Sequence, residues 1–236
     1  MTVWWLAWRS ALARRRLFVW NVAVPALLLT PVASSDAAAP HRVAVFGVFI
    51  VFFATFGAAL PAVRDAREGW LDTVFRTGVR RPAWLVQTTL AEAAIDLVQL
   101  APVTAVLALL ADGASPASVP ILIAALAVTL LFANVLGVVL AATVRSLAEA
   151  ALASAAVSLL LLHFAGFFRP PVSGWTRALA ALDPYSPLRV ALARLEGLPG
   201  GGGLPPWAVV AALGLGGLAA LTAGRWTRRF EWPATR

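Results

Sequence analysis

The sequence predicts an all-α integral membrane protein with six transmembrane helices, and three observations carry that reading. Apolar runs long enough to cross a bilayer recur at intervals of roughly thirty residues. The chain is 61% hydrophobic and only 13% charged, with mean hydropathy +0.83, so a water-soluble fold of 236 residues could not hide its apolar surface. The arginines, finally, gather at alternate ends of the runs.

Taken in order, residues 1–16 interleave Trp4, Trp5, Trp8 and Leu12 with Arg9 and Arg14 to Arg16. On a helix Trp5, Trp8 and Leu12 share a face, which predicts an N-terminal interfacial helix in the headgroup layer. The first span covers 17–33, with Pro25 and Pro31 as expected kinks. Basic residues, an apolar core and the small residues Val32-Ala33-Ser34 also resemble a secretory signal peptide, but a lead with three tryptophans is unusual for one. The second span, 43–63, is rich in phenylalanine. A charged segment, 64–82, precedes the third span at 84–111. The fourth covers 119–144 and the fifth 150–168. A Pro- and Gly-rich stretch then leads to the sixth, 206–224. The whole reads as one transmembrane domain, 1–236.

Six spans place both ends of the chain on one side. Of nineteen arginines, fourteen fall in the segments on that side; only Arg42, Arg169, Arg177, Arg189 and Arg194 fall opposite. The positive-inside rule therefore predicts cytoplasmic termini.

Absences exclude much chemistry. The chain has no lysine, no cysteine, and only His41 and His163 as histidines. A disulfide, a thiol nucleophile, a Schiff base and a Cys/His zinc cluster are all ruled out. The pI near 11.7 reflects arginines flanking apolar spans, not a basic face on a water-exposed domain, so nucleic acid is not expected.

The segment RDAREGWLDTVFRTGVRR, 64–81, is the most informative. Read as one helix, it carries Asp65, Glu68 and Asp72 as an acidic stripe, with Arg64–Glu68 and Asp72–Arg76 as i, i+4 pairs. Trp70, Leu71, Val74 and Phe75 make it amphipathic. Such a helix either rests on lipid or fits a groove in another protein; the acidic stripe favours a protein.

Glu92 and Asp96 are the acids placed within a span, on one face of the third. Two readings stay open: pairing with arginines near the cytoplasmic entrance, or contact with a substrate path or gate. His163, beside Phe164, Phe167 and Phe168, belongs to an aromatic belt or to the same path. Ala212, Gly216 and Ala220, and separately Ala133, Gly137 and Ala141, recur every four residues and predict close helix packing. Residues 169–198 are expected to fold back as one or two short helices at the outer face, with Trp175, Leu179 and Leu182 on one apolar face and Leu188, Leu192 and Leu195 on another, both explained by contact with lipid.

Several of these segments resemble a known family in order and spacing. Glu68-Gly69-Trp70-Leu71-Asp72 is similar to a Glu…Gly-x-Leu-Glu motif that follows the second span in the membrane subunits of type-2 ABC exporters, with Asp72 for the second Glu. Thr77-Gly78-Val79-Arg80-Arg81 corresponds to that family's Thr-Pro-x-Ser-Arg stretch, with Gly78 where Pro is usual. Leu136-Gly137 through Arg145-Ser146, Gly166 to Pro170, Trp175 and Leu182 to Pro187 resemble later segments. The resemblance covers nearly the whole chain.

It implies a permease lacking its own motor, for an amphiphilic or hydrophobic substrate, in a bacterial inner membrane. Asp65, Glu68, Gly69, Trp70, Leu71, Asp72 and Arg76 would form a cytoplasmic coupling helix that docks an ATPase subunit, with help from Arg145–Glu149. A second permease chain, identical or related, would complete the path. No cofactor is expected on this chain; ATP and Mg would sit on the ATPase. The residues agree on one point, since a phosphate-binding Gly-x-x-x-x-Gly-Lys loop needs a lysine the chain does not have. A non-transporting scaffold or regulator, and an intramembrane enzyme, are the alternatives. The enzyme needs a nucleophile–base pair or metal ligands that the two lone histidines and the Glu92/Asp96 pair scarcely supply.

Overall fold

A computed structural model describes residues 3–111 and 113–198, together with 210, 214, 217–219, 221–223 and 225. Its helices are α1 (Val3–Ala13), α2 (Arg15–Ala33), α3 (Ala39–Arg67), α4 (Trp70–Arg76), α5 (Arg81–Leu110), α6 (Ser118–Ala141), α7 (Leu147–Phe164), α8 (Gly174–Leu182) and α9 (Ser186–Leu195). Five of them, α2, α3, α5, α6 and α7, are long and apolar enough to cross a membrane. The predicted sixth span, 206–224, lies mostly outside the described residues, as do Ala212, Gly216 and Ala220. Those of its residues that are described are helical.

Helix α3 is the hub, packing on α6, α7 and α9, while α5 joins α2, α1 and α6. The approach of α6 to α3 is set at Gly137. A Cβ there would stand 2.5 Å from the Thr55 carbonyl oxygen and 2.9 Å from the Ala58 Cβ, so hydrogen alone fits. Ala54, Ala58 and Ala133, all fully buried, extend this close seam. Deeper in the seam the Ser158 hydroxyl on α7 donates to the Thr55 hydroxyl at 3.4 Å, both fully buried.

Three loops meet at one end of the bundle. Arg42, in the first turns of α3, donates through Nε to Glu196 at 2.9 Å and through its Nη2 to the same oxygen, with both side chains largely buried. The Gly113 N–H donates to the Leu195 carbonyl at 2.9 Å. The start of α3, the end of α5 and the end of α9 are thereby tied together. Helix α4, the start of α5 and the α6–α7 turn lie at the ends of their helices opposite to these.

The α8–α9 pair departs from expectation. Two short helices form, but α9 does not lie on lipid: Leu188, Leu192 and Leu195 are buried in the core against α6 and α3. Tyr185 packs edge-on against Phe132 of α6, ring centroids 5.4 Å apart, and its hydroxyl lies beside Thr55 and Ser158. Ten residues of α9 span about 15 Å at roughly 1.5 Å each. The hairpin thus re-enters to the middle of the bundle. Trp175 and Leu182 on α8 remain exposed.

Helix α2 continues through Pro25 and Pro31, which each leave one backbone bond unmade without breaking it. A break at Arg14 (φ −89°, ψ 54°) separates it from α1. Helix α1 packs along α5, its Val3 N–H donating to Gln87 Oε1 at 3.0 Å, and leaves Trp5 and Leu12 exposed.

Candidate functional site

The 64–81 segment is not one helix. Helix α3 runs to Arg67, and Gly69 then adopts φ +72°, a left-handed conformation that only a residue without a Cβ takes freely. The chain turns there and α4 starts in a new direction. Asp65 stays on α3 and Asp72 moves to α4, so the predicted acidic stripe does not form on one face. Arg64 pairs with its neighbour Asp65 at 3.4 Å, where the sequence predicted Glu68. Asp72 and Arg76 do share α4.

What holds α4 is apolar. Leu71 is 3% exposed among Ala62, Ala66, Trp84 and Leu85. The Phe75 ring meets Trp84 edge-on at 5.6 Å, and the Arg81 guanidinium lies 4.5 Å from the centre of the same ring. Gly78, at φ +85°, closes the turn back into α5, and its N–H donates to Phe75 O at 3.1 Å. Proline, fixed near φ −65°, could not make that turn, which accounts for the departure at this position. Glu68, Trp70, Thr73 and Arg76 are left exposed, with Asp72 half-buried. The result is a short helix anchored on one side and open on the other. Glu149 is committed locally: its carboxylate accepts the Arg145 N–H at 2.8 Å while the Ser146 hydroxyl accepts the Glu149 N–H.

Glu92 and Asp96 line a cleft of about 1250 Å3 bounded by α1, α2, α3, α4, α5 and α6. No described hydrogen bond or ion pair joins Asp96 to an arginine. Asp96 accepts a hydrogen bond from Asn134 Nδ2 on α6 at 2.9 Å, and the same amide donates to Leu130 O. Asn134 stands seven residues before the end of α6, about 10 Å along the axis at roughly 1.5 Å per residue. That fixes the depth of the pair to the α4-side half of the bundle. Among the described residues Glu92 Oε2, which is covered, has no hydrogen-bond partner, nor do Thr88 Oγ1 and Asn134 Oδ1. Gln99 completes the polar wall; Leu60, Ile95 and Val138 supply apolar ones.

His163 stands apart from this cleft, exposed at the end of α7 with its ring 6.0 Å from Phe164. A second, almost wholly apolar groove of about 830 Å3 runs between α2 and α3, lined by Phe49, Phe52, Phe53, Phe56 and His41. At the α8–α9 turn the Asp183 carboxylate accepts the Tyr185 N–H at 2.8 Å. Among the described residues no three His, Asp or Glu side chains gather as metal ligands. Asn134 and Thr88 escaped the sequence reading. A single Asn in the apolar run 119–144 was the one signal for the first, and a threonine beside another, Thr89, gives none.

Several apolar helices packed around one hub define a multi-pass membrane protein. Residues 1–195 match the family model of the ABC-2 type transporters, and the chain belongs to that family. It is accordingly a permease, the membrane part of an ABC transporter, and that family normally works with ATPase subunits. No curated protein matches the chain.

Proposed function

We propose that this chain is the membrane-spanning subunit of an ATP-driven exporter, forming a path for an amphiphilic or hydrophobic substrate together with a second permease chain, identical or related. It sits in a bacterial inner membrane with both termini in the cytoplasm. Helix α1 lies in the headgroup layer on that side, its exposed Trp5 and Leu12 turned to lipid. A separate ATPase binds ATP and Mg and docks on α4.

The observation that carries this reading is the construction of α4. Its packed side, buried Leu71 with half-buried Phe75, fixes it to the start of α5, while Trp70 and Arg76 on the helix and Glu68 just before it are exposed. A helix so mounted transmits a push along α5 and, through the Gly69 turn, along α3. A helix resting on lipid needs no such mounting.

Combining Glu68→Arg with Asp72→Arg tests it in the chain co-expressed with its ATPase. The variant is expected in the membrane at normal levels, with substrate-stimulated ATP hydrolysis down about fivefold or more, the low end of ordinary coupling between sites. Undiminished stimulation sinks the assignment of α4.

A further inference from the structure

We infer that the cleft beside Glu92, Asp96 and Asn134 is a binding site for an amphiphile bearing a primary ammonium or guanidinium group. Calling that ligand cargo rests on the permease reading; its binding to this chain does not.

Three covered polar atoms in the cleft wall have an acceptor function in common. Glu92 Oε2, Asn134 Oδ1 and Thr88 Oγ1 are covered and have no hydrogen-bond partner among the described residues, and all three can accept a hydrogen bond. Asn134 is 1% exposed, and both of its described hydrogen bonds are made through Nδ2, to Asp96 Oδ2 and to Leu130 O. The amide oxygen is left without a donor among the described residues. A covered acceptor with no partner costs free energy, more so in a low-dielectric wall. A ligand that satisfies several acceptors must bring several N–H donors. A ligand that also brings positive charge favours the ionised form of two acids four residues apart. Ammonium and guanidinium do both; a quaternary ammonium brings charge without donors, and a neutral alcohol brings one donor without charge.

Among the described residues, two of the chain's own cations line the cleft, and neither pairs with its inner acids. Arg14 and Arg64 line the same cleft at its α1 and α3 side. Arg14 is exposed, and Arg64 donates to Asp65. No described hydrogen bond or ion pair joins either to Glu92 or Asp96. Three carboxylates therefore follow one another inward, Asp65, Glu92 and Asp96, between walls of Leu60, Ile95 and Val138 that suit an apolar tail. A metal ion is a poorer fit, since two carboxylates and an amide leave most of a hard cation's oxygen shell unfilled.

The test uses the full chain in phosphatidylcholine nanodiscs and the fluorescence of dansylcadaverine, which joins a primary ammonium to an apolar dye. Its amine-free counterpart, the dansyl amide of pentylamine, serves as the neutral probe, and empty nanodiscs correct for partition. Saturable binding of dansylcadaverine is expected. Glu92→Gln and Asn134→Ala should each weaken it about tenfold, the loss of a charge-assisted or multiply bonded contact. Asp36→Asn, at the opposite end of α3's loop, should leave it unchanged. The neutral probe should bind the unaltered chain no better than dansylcadaverine binds the Glu92→Gln variant. Equal affinity for the two probes overturns the inference, as do an absence of saturable binding and full affinity in both variants. The two-probe comparison needs only the unaltered chain, so it decides the matter even if a variant fails to fold. Failure here with intact ATPase coupling leaves the α4 assignment standing; the converse result separates them the other way.

Discussion

At Gly137 a single hydrogen atom sets the distance between two helices. The atoms that a Cβ would strike belong to the α3 backbone, Thr55 O at 2.5 Å and Ala59 N at 3.1 Å, and backbone within a packed helix cannot swing aside. Gly57, between those two residues on the same α3, has nothing within 4 Å of an added Cβ and is exposed. The two glycines should therefore respond to alanine with opposite signs. Gly57→Ala gains helix propensity of up to about 1 kcal/mol, whereas Gly137→Ala loses about 1–3 kcal/mol to overpacking. Thermal unfolding in detergent micelles reads both, and a higher midpoint for Gly137→Ala would contradict the seam. Gly137 was legible in advance because small residues at every fourth position leave a pattern along one helix. Its neighbour Asn134 was not. The partner that gives it meaning, Asp96, lies 38 positions away, and no local spacing encodes that pair.

For whole elements the same distinction between local and distant causes holds. Periodicity located α2, α3, α5, α6 and α7 to within a few residues, since a bilayer's thickness fixes how long an apolar helix must be. It misread 64–81, where i, i+4 pairs suggested one helix. Two glycines with positive φ cut out α4 instead, and Gly69 carried the signal all along. It also misplaced α9. Leu188, Leu192 and Leu195 form an apolar stripe that fits lipid or protein equally, and only the fold says that α6 and α3 receive it. The break at Gly69 makes a prediction of its own. A β-branched side chain resists φ +72° and costs roughly 1–2 kcal/mol there, while asparagine tolerates it. Gly69→Val should tilt α4 off its mounting and depress ATPase stimulation strongly; Gly69→Asn should preserve most of it. Equal activity in the two variants would mean that the turn has no part in coupling.

Across the molecule as a whole, charge and packing agree on which loops share a side. The Arg42–Glu196 pair and the Gly113–Leu195 hydrogen bond gather the loops poor in arginine, and the arginine-rich α3–α4–α5 connection stands at the opposite helix ends. Charge bias alone assigns the cytoplasm to the second group; packing alone assigns nothing but the grouping. Their agreement turns a tally of arginines into a threading of the chain that can be checked directly. Because the chain contains no cysteine, each introduced one is the sole thiol. Thr77→Cys, exposed in the α4–α5 turn, should react with a membrane-impermeant maleimide in inside-out vesicles and resist it in intact spheroplasts. Asp36→Cys, exposed between α2 and α3, should show the reverse. Both substitutions lie on exposed turns outside the packed core, so neither disturbs the helices whose orientation they report. Labelling of both from one side would break the alternation of α3, while exchange of the two patterns would turn α4 away from any cytoplasmic ATPase.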